Sequence, residues 1–110
     1  MKVAYIFSTN LSHYILSNMI IPQLEKGEHV AEVIGMFFLG DNTFLLLKNN
    51  DIGERLTKIA KSTGMLIMAC DKCAFDRKID SDLVEGAMLG CFPDLYKSLT
   101  DVGVNQIITL

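Results

Sequence analysis

The sequence predicts an α/β fold: a three-layer sandwich with helices on both faces of a mostly parallel five-stranded sheet. Two observations predict it. Short apolar runs of strand length alternate with segments whose apolar residues recur at helical spacing. Glycine and proline punctuate the boundaries between them.

Val3 to Phe7 is continuously apolar, as a strand buried on both faces should be. Ser8-Thr9-Asn10 then supplies helix-start chemistry, and Leu11, Tyr14, Ile15, Met19 and Leu24 follow at helical spacing. Gly27 closes that helix, and Pro22 inside it predicts a kink. Val30 to Leu39, rich in Val, Ile and Phe, reads as the second strand, with Gly40-Asp41-Asn42 as a turn. Thr43 to Lys48 fits either a short strand or a helical turn. Asp51 and Glu54 resemble a capping box before a helix whose face is Ile52, Leu56, Ile59 and Ala60, stopped by Gly64. Met65 to Ala69 is the third strand, and Ala74 to Ile79 a short helix or turn. Val84 to Leu89 reads as a fourth strand, although Gly86 interrupts it. Pro93 suits the first turn of a last helix carrying Leu95, Leu99 and Val102, and Val104 to Leu110 forms the final strand.

The chain has 110 residues, enough for a single domain over 1–110. Half of it is hydrophobic, and mean hydropathy is positive at +0.32. A chain this short buries only about two-thirds of its surface, so part of the apolar excess is expected to face another subunit. Net charge is −3 with no dense basic block, which argues against nucleic acid. No apolar run reaches the ~18 residues of a membrane span. The opening Met1-Lys2 and its short apolar run are too brief for a signal peptide, so a cytoplasmic location is expected.

In a parallel sheet, ligands gather at the carboxyl ends of strands near the point where strand order reverses. Three polar segments belong on that edge: Ser8 to Asn10, Gly40 to Asn42, and Cys70 to Cys73. The first could hold an anion at a helix N-terminus or act only as a cap. His13 reads as a surface or capping residue rather than a base, and the methionines as core packing.

Cys70-Asp71-Lys72-Cys73 admits several chemistries. Structural zinc needs four ligands, and the only further candidates are Cys91, His13 and His29, in no familiar spacing. A C-x-x-C between a strand and a helix fits a dithiol redox pair, yet no Trp-Cys-Gly-Pro sequence and no Trp are present. Buried cysteine acting as a small hydrophobe suits Cys91 better than Cys70, which ends an apolar run at charged residues. Lys72 and Arg77 would favour a thiolate, while Asp71 and Asp76 would oppose it.

The first strand leading into "FSTN", the segment "VIGMFFLGDNT", and the third strand ending at Cys70 with Ala74, Arg77 and Ile79 after it resemble the DsrE/DsrF-like small proteins of sulfur-relay systems. The resemblance extends over nearly the whole chain. Lys78 stands where that family usually carries glycine. The stretch "LVEGAMLGCFPDLYKSL" is similar to a branch of the family that also has the C-x-x-C.

The resemblance implies a flavodoxin-like sheet of the YchN type and sulfur transfer through a persulfide on Cys70. Cys73 would resolve or tune it. It further implies sulfur donor and acceptor proteins as partners and a homotrimer or homohexamer, with no metal or cofactor. Candidate binding residues around Cys70 and Cys73 are Ser8, Thr9, Asn10, Asp41, Asn42, Arg77 and Cys91. The competing expectations are a C-x-x-C oxidoreductase and a non-catalytic assembly subunit with structural or metal-binding cysteines.

Overall fold

The computed structural model describes residues 1–110. Five strands form one sheet: β1 (Lys2–Phe7), β2 (Glu32–Phe38), β3 (Leu66–Cys70), β4 (Ala87–Gly90) and β5 (Gln106–Thr109). Their order is β4-β3-β2-β1-β5, and every pairing is parallel. The helices are α1 (Leu11–Ile15), continuing through a π-turn (Leu16–Ile20) into α2 (Ile21–Lys26), then α3 (Asp51–Thr63), α4 (Asp71–Asp76) and α5 (Phe92–Val102).

The connections from β1, β2 and β3 each step one strand in the same direction, and parallel crossovers keep one hand. Their helices therefore share a face. Leu16, Ile20 and Ile21 pack there with Ile52, Leu56 and Ile59 of α3 against Val3, Phe7, Met36, Phe38, Ile67 and Ala69 of the sheet. The connection from β4 runs back past β3, β2 and β1, which puts α5 on the opposite face. There Leu95 and Leu99 cover Ala4, Ile6, Phe37, Met68 and Cys70. The alternation of β1 and β3 residues between these two clusters is the period of an extended chain buried on both sides.

Several elements depart from the sequence expectations. The kink expected at Pro22 is a π-turn just before it, with the Ile21 N–H reaching back to the Leu16 carbonyl. Proline lacks an N–H and crowds the carbonyl four residues earlier, and the wider turn accommodates both. Thr43 to Lys48 falls mostly in a 3-10 helix, Gly40–Leu46, so the helical alternative is the one adopted. The second strand starts at Glu32, not Val30. The Ala31 N–H bonds the His29 carbonyl at 2.8 Å, closing a γ-turn on Val30, whose φ is 70°. That turn is strained for a β-branched residue, and the Val30 side chain is 99 % exposed. The fourth strand is Ala87–Gly90, shifted three residues from the expected start at Val84.

Lys78, at the position where glycine was expected, has φ 57°. The Ile79 N–H bonds the Ala74 carbonyl and the Lys78 N–H bonds the Phe75 carbonyl, both at 3.0 Å. This is a Schellman motif with Ile79 and Ala74 buried against the larger core. The left-handed turn is kept although the residue has a side chain.

Candidate functional site at the carboxyl ends of β3 and β4

The chain leaves β3 toward one face of the sheet and β4 toward the other, so the crevice between their carboxyl ends is the switch point where such sheets gather ligands. Cys70 is the last residue of β3 and lies opposite Gly90, the last residue of β4. It also caps α4: its Sγ accepts the Cys73 N–H at 3.5 Å. The Cys70 side chain belongs to the α5-side cluster and is 6 % exposed, and Cys73 packs partly buried against the same cluster.

Cys91 follows Gly90 and caps α5 in a capping box with Asp94. Its N–H donates to the Asp94 carboxylate at 2.9 Å, and its side chain faces the Asp94 N–H in the capping-box arrangement. Gly90 is required here: a Cβ would lie 2.8 Å from the Met68 Sδ and 3.1 Å from the Asp94 Cβ. All three cysteines are free thiols.

Burial pushes the Cys70 thiol above its ordinary range, and the Cys73 side chain adds to the rise, with a smaller push from Cys91. The Cys73 backbone N–H pulls the other way. Cys70 is therefore protonated at rest, in a desolvated place where a thiolate has little stabilisation. No group of three or more His, Cys, Asp and Glu side chains is arranged to hold a metal ion.

Arg77 ties this site to the 3-10 segment. Its Nη1 donates to the Cys73 carbonyl at 3.2 Å, its Nε to Asp41 Oδ1 at 2.9 Å, and its guanidinium lies 6.0 Å from the Phe44 ring centre. Arg77 and Asp41 thus position α4 rather than sit free in the crevice.

The Ser8-Thr9-Asn10 segment is engaged elsewhere. The N–H groups of Ser8 and Thr9 and the hydroxyls of Ser8 and Ser12 all converge on the Leu110 carbonyl oxygen. Asn10 makes no side-chain cap bond, and the buried Asn42 amide donates to the Thr9 carbonyl at 3.1 Å. These residues bind the chain's own backbone.

One pairing was not legible in the sequence. Tyr5 Oη lies 2.9 Å from His29 Nε2, and His29 Nδ1 lies 2.8 Å from Gln23 Oε1. Burial holds the His29 pKa below its usual value. His29 borders a cavity of about 600 Å3 at the amino end of the sheet, and none of the cysteines line it.

No protein-family model matches the sequence, and no curated protein matches it. Three solved structures are similar in fold across nearly the full length. The YchN protein of E. coli has TM-score 0.70 at 17 % identity, over 99 % of this chain and 97 % of its own. The conserved protein of unknown function BT1422 from Bacteroides thetaiotaomicron has TM-score 0.68 at 15 % identity, over 99 % and 94 %. The protein of unknown function MTH1491 from Methanobacterium thermoautotrophicum has TM-score 0.65 at 14 % identity, over 97 % and 96 %. With its strand order, its parallel pairings and these neighbours, the chain has the YchN-type, DsrE-like α/β fold.

Proposed function

We propose that the protein is a single-domain sulfur-relay carrier that holds sulfur as a persulfide on Cys70 and passes it to a partner thiol. The observation that carries this reading is the convergence of Cys70, Cys73 and Cys91 on the β3–β4 crevice. In loading, the Cys70 sulfur attacks the outer sulfur of a donor persulfide, R–S–S⁻. The donor S–S bond breaks, a Cys70 S–S bond forms, and the Cys70 proton leaves with the donor thiol. Transfer to an acceptor thiol is the same exchange in reverse.

Desolvation favours the loaded state. A buried Cys70 thiolate is poorly stabilised, whereas a persulfide carries its charge on an atom about 2 Å farther out, toward the crevice mouth. Phe75, Leu89, Phe92 and Tyr96 are exposed near this edge and would suit a protein donor or acceptor. A homotrimer or homohexamer and a cytoplasmic location belong to the same proposal, and exposed Leu11, Tyr14 and Met19 on the first helix offer an apolar surface for self-association.

The test is mass spectrometry after incubation with glutathione persulfide. Wild type is expected to gain one sulfur at Cys70, and Cys70→Ser to gain none there. Equal loading of Cys70→Ser overturns the reading.

A second reading, a dithiol oxidoreductase, is favoured by the capping geometry. A helix cap and its third helical residue lie within the Cα separation a disulfide tolerates, about 4.4–6.8 Å. A redox titration decides it: a reversible Cys70–Cys73 disulfide within reach of cellular dithiols supports this reading, and failure to form that disulfide rejects it.

A further inference from the structure

We propose that Cys91 is a second resolving thiol for Cys70, closing a disulfide across β3 and β4 and expelling the carried sulfur as hydrosulfide. This rests on the persulfide reading of Cys70. It assigns a route that does not need Cys73.

The backbone sets the reach. Cys70 and Gly90 are paired at the ends of neighbouring parallel strands, and Cys91 follows Gly90 just beyond the end of β4. Neighbouring strands about 4.8 Å apart, with about 3.3 Å of rise per residue, put the two Cα atoms about 6 Å apart, inside the disulfide range. Both sulfurs are on the α5 side of the sheet. The Cys70 side chain lies in the cluster with Leu95 and Leu99, and the Cys91 side chain faces the first turn of α5. The rise in the Cys70 pKa caused by Cys91 agrees with two thiols in mutual electrostatic reach. Gly90 contributes by having no side chain, which lets β4 and the start of α5 close up on Met68.

In the step, the Cys91 thiolate attacks the Cys70 Sγ of the persulfide Cys70–S–SH. The bond to the outer sulfur breaks, a Cys70–Cys91 bond forms, and HS⁻ leaves. The outer sulfur is reduced to sulfide while the two cysteine sulfurs are oxidised to the disulfide, so no external oxidant is required. Asp94 is a positioning residue: its carboxylate holds the Cys91 backbone N–H, and its own N–H faces the Cys91 side chain.

The experiment uses the full chain. Cys73→Ser is loaded with glutathione persulfide, released sulfide is measured, and disulfides are mapped by non-reducing peptide mass spectrometry. Sulfide release with a Cys70–Cys91-linked peptide is expected, at least several-fold faster than release from Cys73→Ser/Cys91→Ser. Equal retention of sulfur by the two variants overturns the proposal.

A second arm treats unloaded Cys73→Ser with diamide. A Cys70–Cys91 link is expected, and its absence overturns the pairing. If wild type never loads but diamide still links the two cysteines, the relay reading has failed while the pairing stands. Asp94→Ala is expected to slow linkage several-fold and Asp94→Asn to restore it. Equal rates for both overturn the positioning role of Asp94.

Discussion

Arg77 donates to Asp41 Oδ1 through Nε at 2.9 Å and keeps Nη2 in ion-pair contact with the same oxygen at 2.8 Å, while its Nη1 donates to the Cys73 carbonyl. The ion pair is half-open to water and by itself is worth at most about 1 kcal/mol. Its value is positional, because a lysine cannot reproduce the fork. Arg77→Lys is therefore expected to cost about 1 kcal/mol or less in urea unfolding, yet to speed iodoacetamide labelling of Cys73 several-fold. Unchanged labelling would show that α4 does not depend on the fork.

Gly53, inside α3, gives a prediction in which two effects oppose. Alanine would favour the helix by about 1 kcal/mol. A Cβ there would lie 2.9 Å from the Leu45 carbonyl oxygen and 2.9 Å from a Val84 methyl. Backbone cannot yield as a flexible side chain can, so overpacking of about 1–3 kcal/mol wins. Gly53→Ala is expected to lower the urea midpoint. A raised midpoint would mean that α3 can slide off the 3-10 segment.

Lys78→Gly should stabilise. The residue already holds a left-handed conformation that costs a non-glycine about 1–2 kcal/mol, against about 0.4–1 kcal/mol of extra unfolded-state freedom for glycine. A net gain of about 0.5–1 kcal/mol is expected in chemical denaturation. A loss would indicate that the lysine side chain contributes contacts of its own.

Cys70 predicts a pH dependence. Burial raises its folded pKa above the unfolded value, so the folded state holds the proton more tightly. The associated stability is complete below about pH 8.5, the ordinary thiol value, and is lost as pH rises through the folded pKa. Wild type should lose stability on going from pH 8 to pH 10 more steeply than Cys70→Ser. Parallel curves would remove Cys70 from the alkaline loss.

His29 has the opposite sign. Burial lowers its folded pKa, so its contribution is complete above about pH 6.5 and is lost as pH falls through the folded value. Wild type should lose more stability between pH 7 and pH 5 than His29→Gln, followed by urea unfolding. Equal losses would place the acid sensitivity elsewhere.

What could be read beforehand divides by range. Strand runs such as Val3 to Phe7 and the stops at Gly27 and Gly64 are local signals, and the elements form where those signals lie. Val30 departs from its local signal: a β-branched residue beside an apolar run argues for strand, while here it sits in a γ-turn next to His29, whose ring contacts Tyr5 and Gln23. Ser8 and Thr9 read in sequence as either an anion site or a cap, and their donors meet a carbonyl about a hundred residues away. Cys70 was legible because a strand end is local. Cys91 stands at that edge because β4 lies beside β3 and α5 starts at once after it, a relation between distant parts of the chain.

The short strand β5 is held at both ends. At one end, Lys2 and Asn105 exchange bonds, the Lys2 N–H to the Asn105 side chain and the Asn105 N–H to the Lys2 carbonyl, each at 2.8 Å. At the other, the Leu110 N–H bonds Ile6 while its carbonyl takes the Ser8 N–H at 2.6 Å. An edge strand normally frays from its tips inward, so its terminal amides exchange with solvent first. Here there is no loose tip from which peeling could begin. In hydrogen exchange, the amides of Asn105 and Leu110 should be released together with that of Ile107, as one unit with one opening energy.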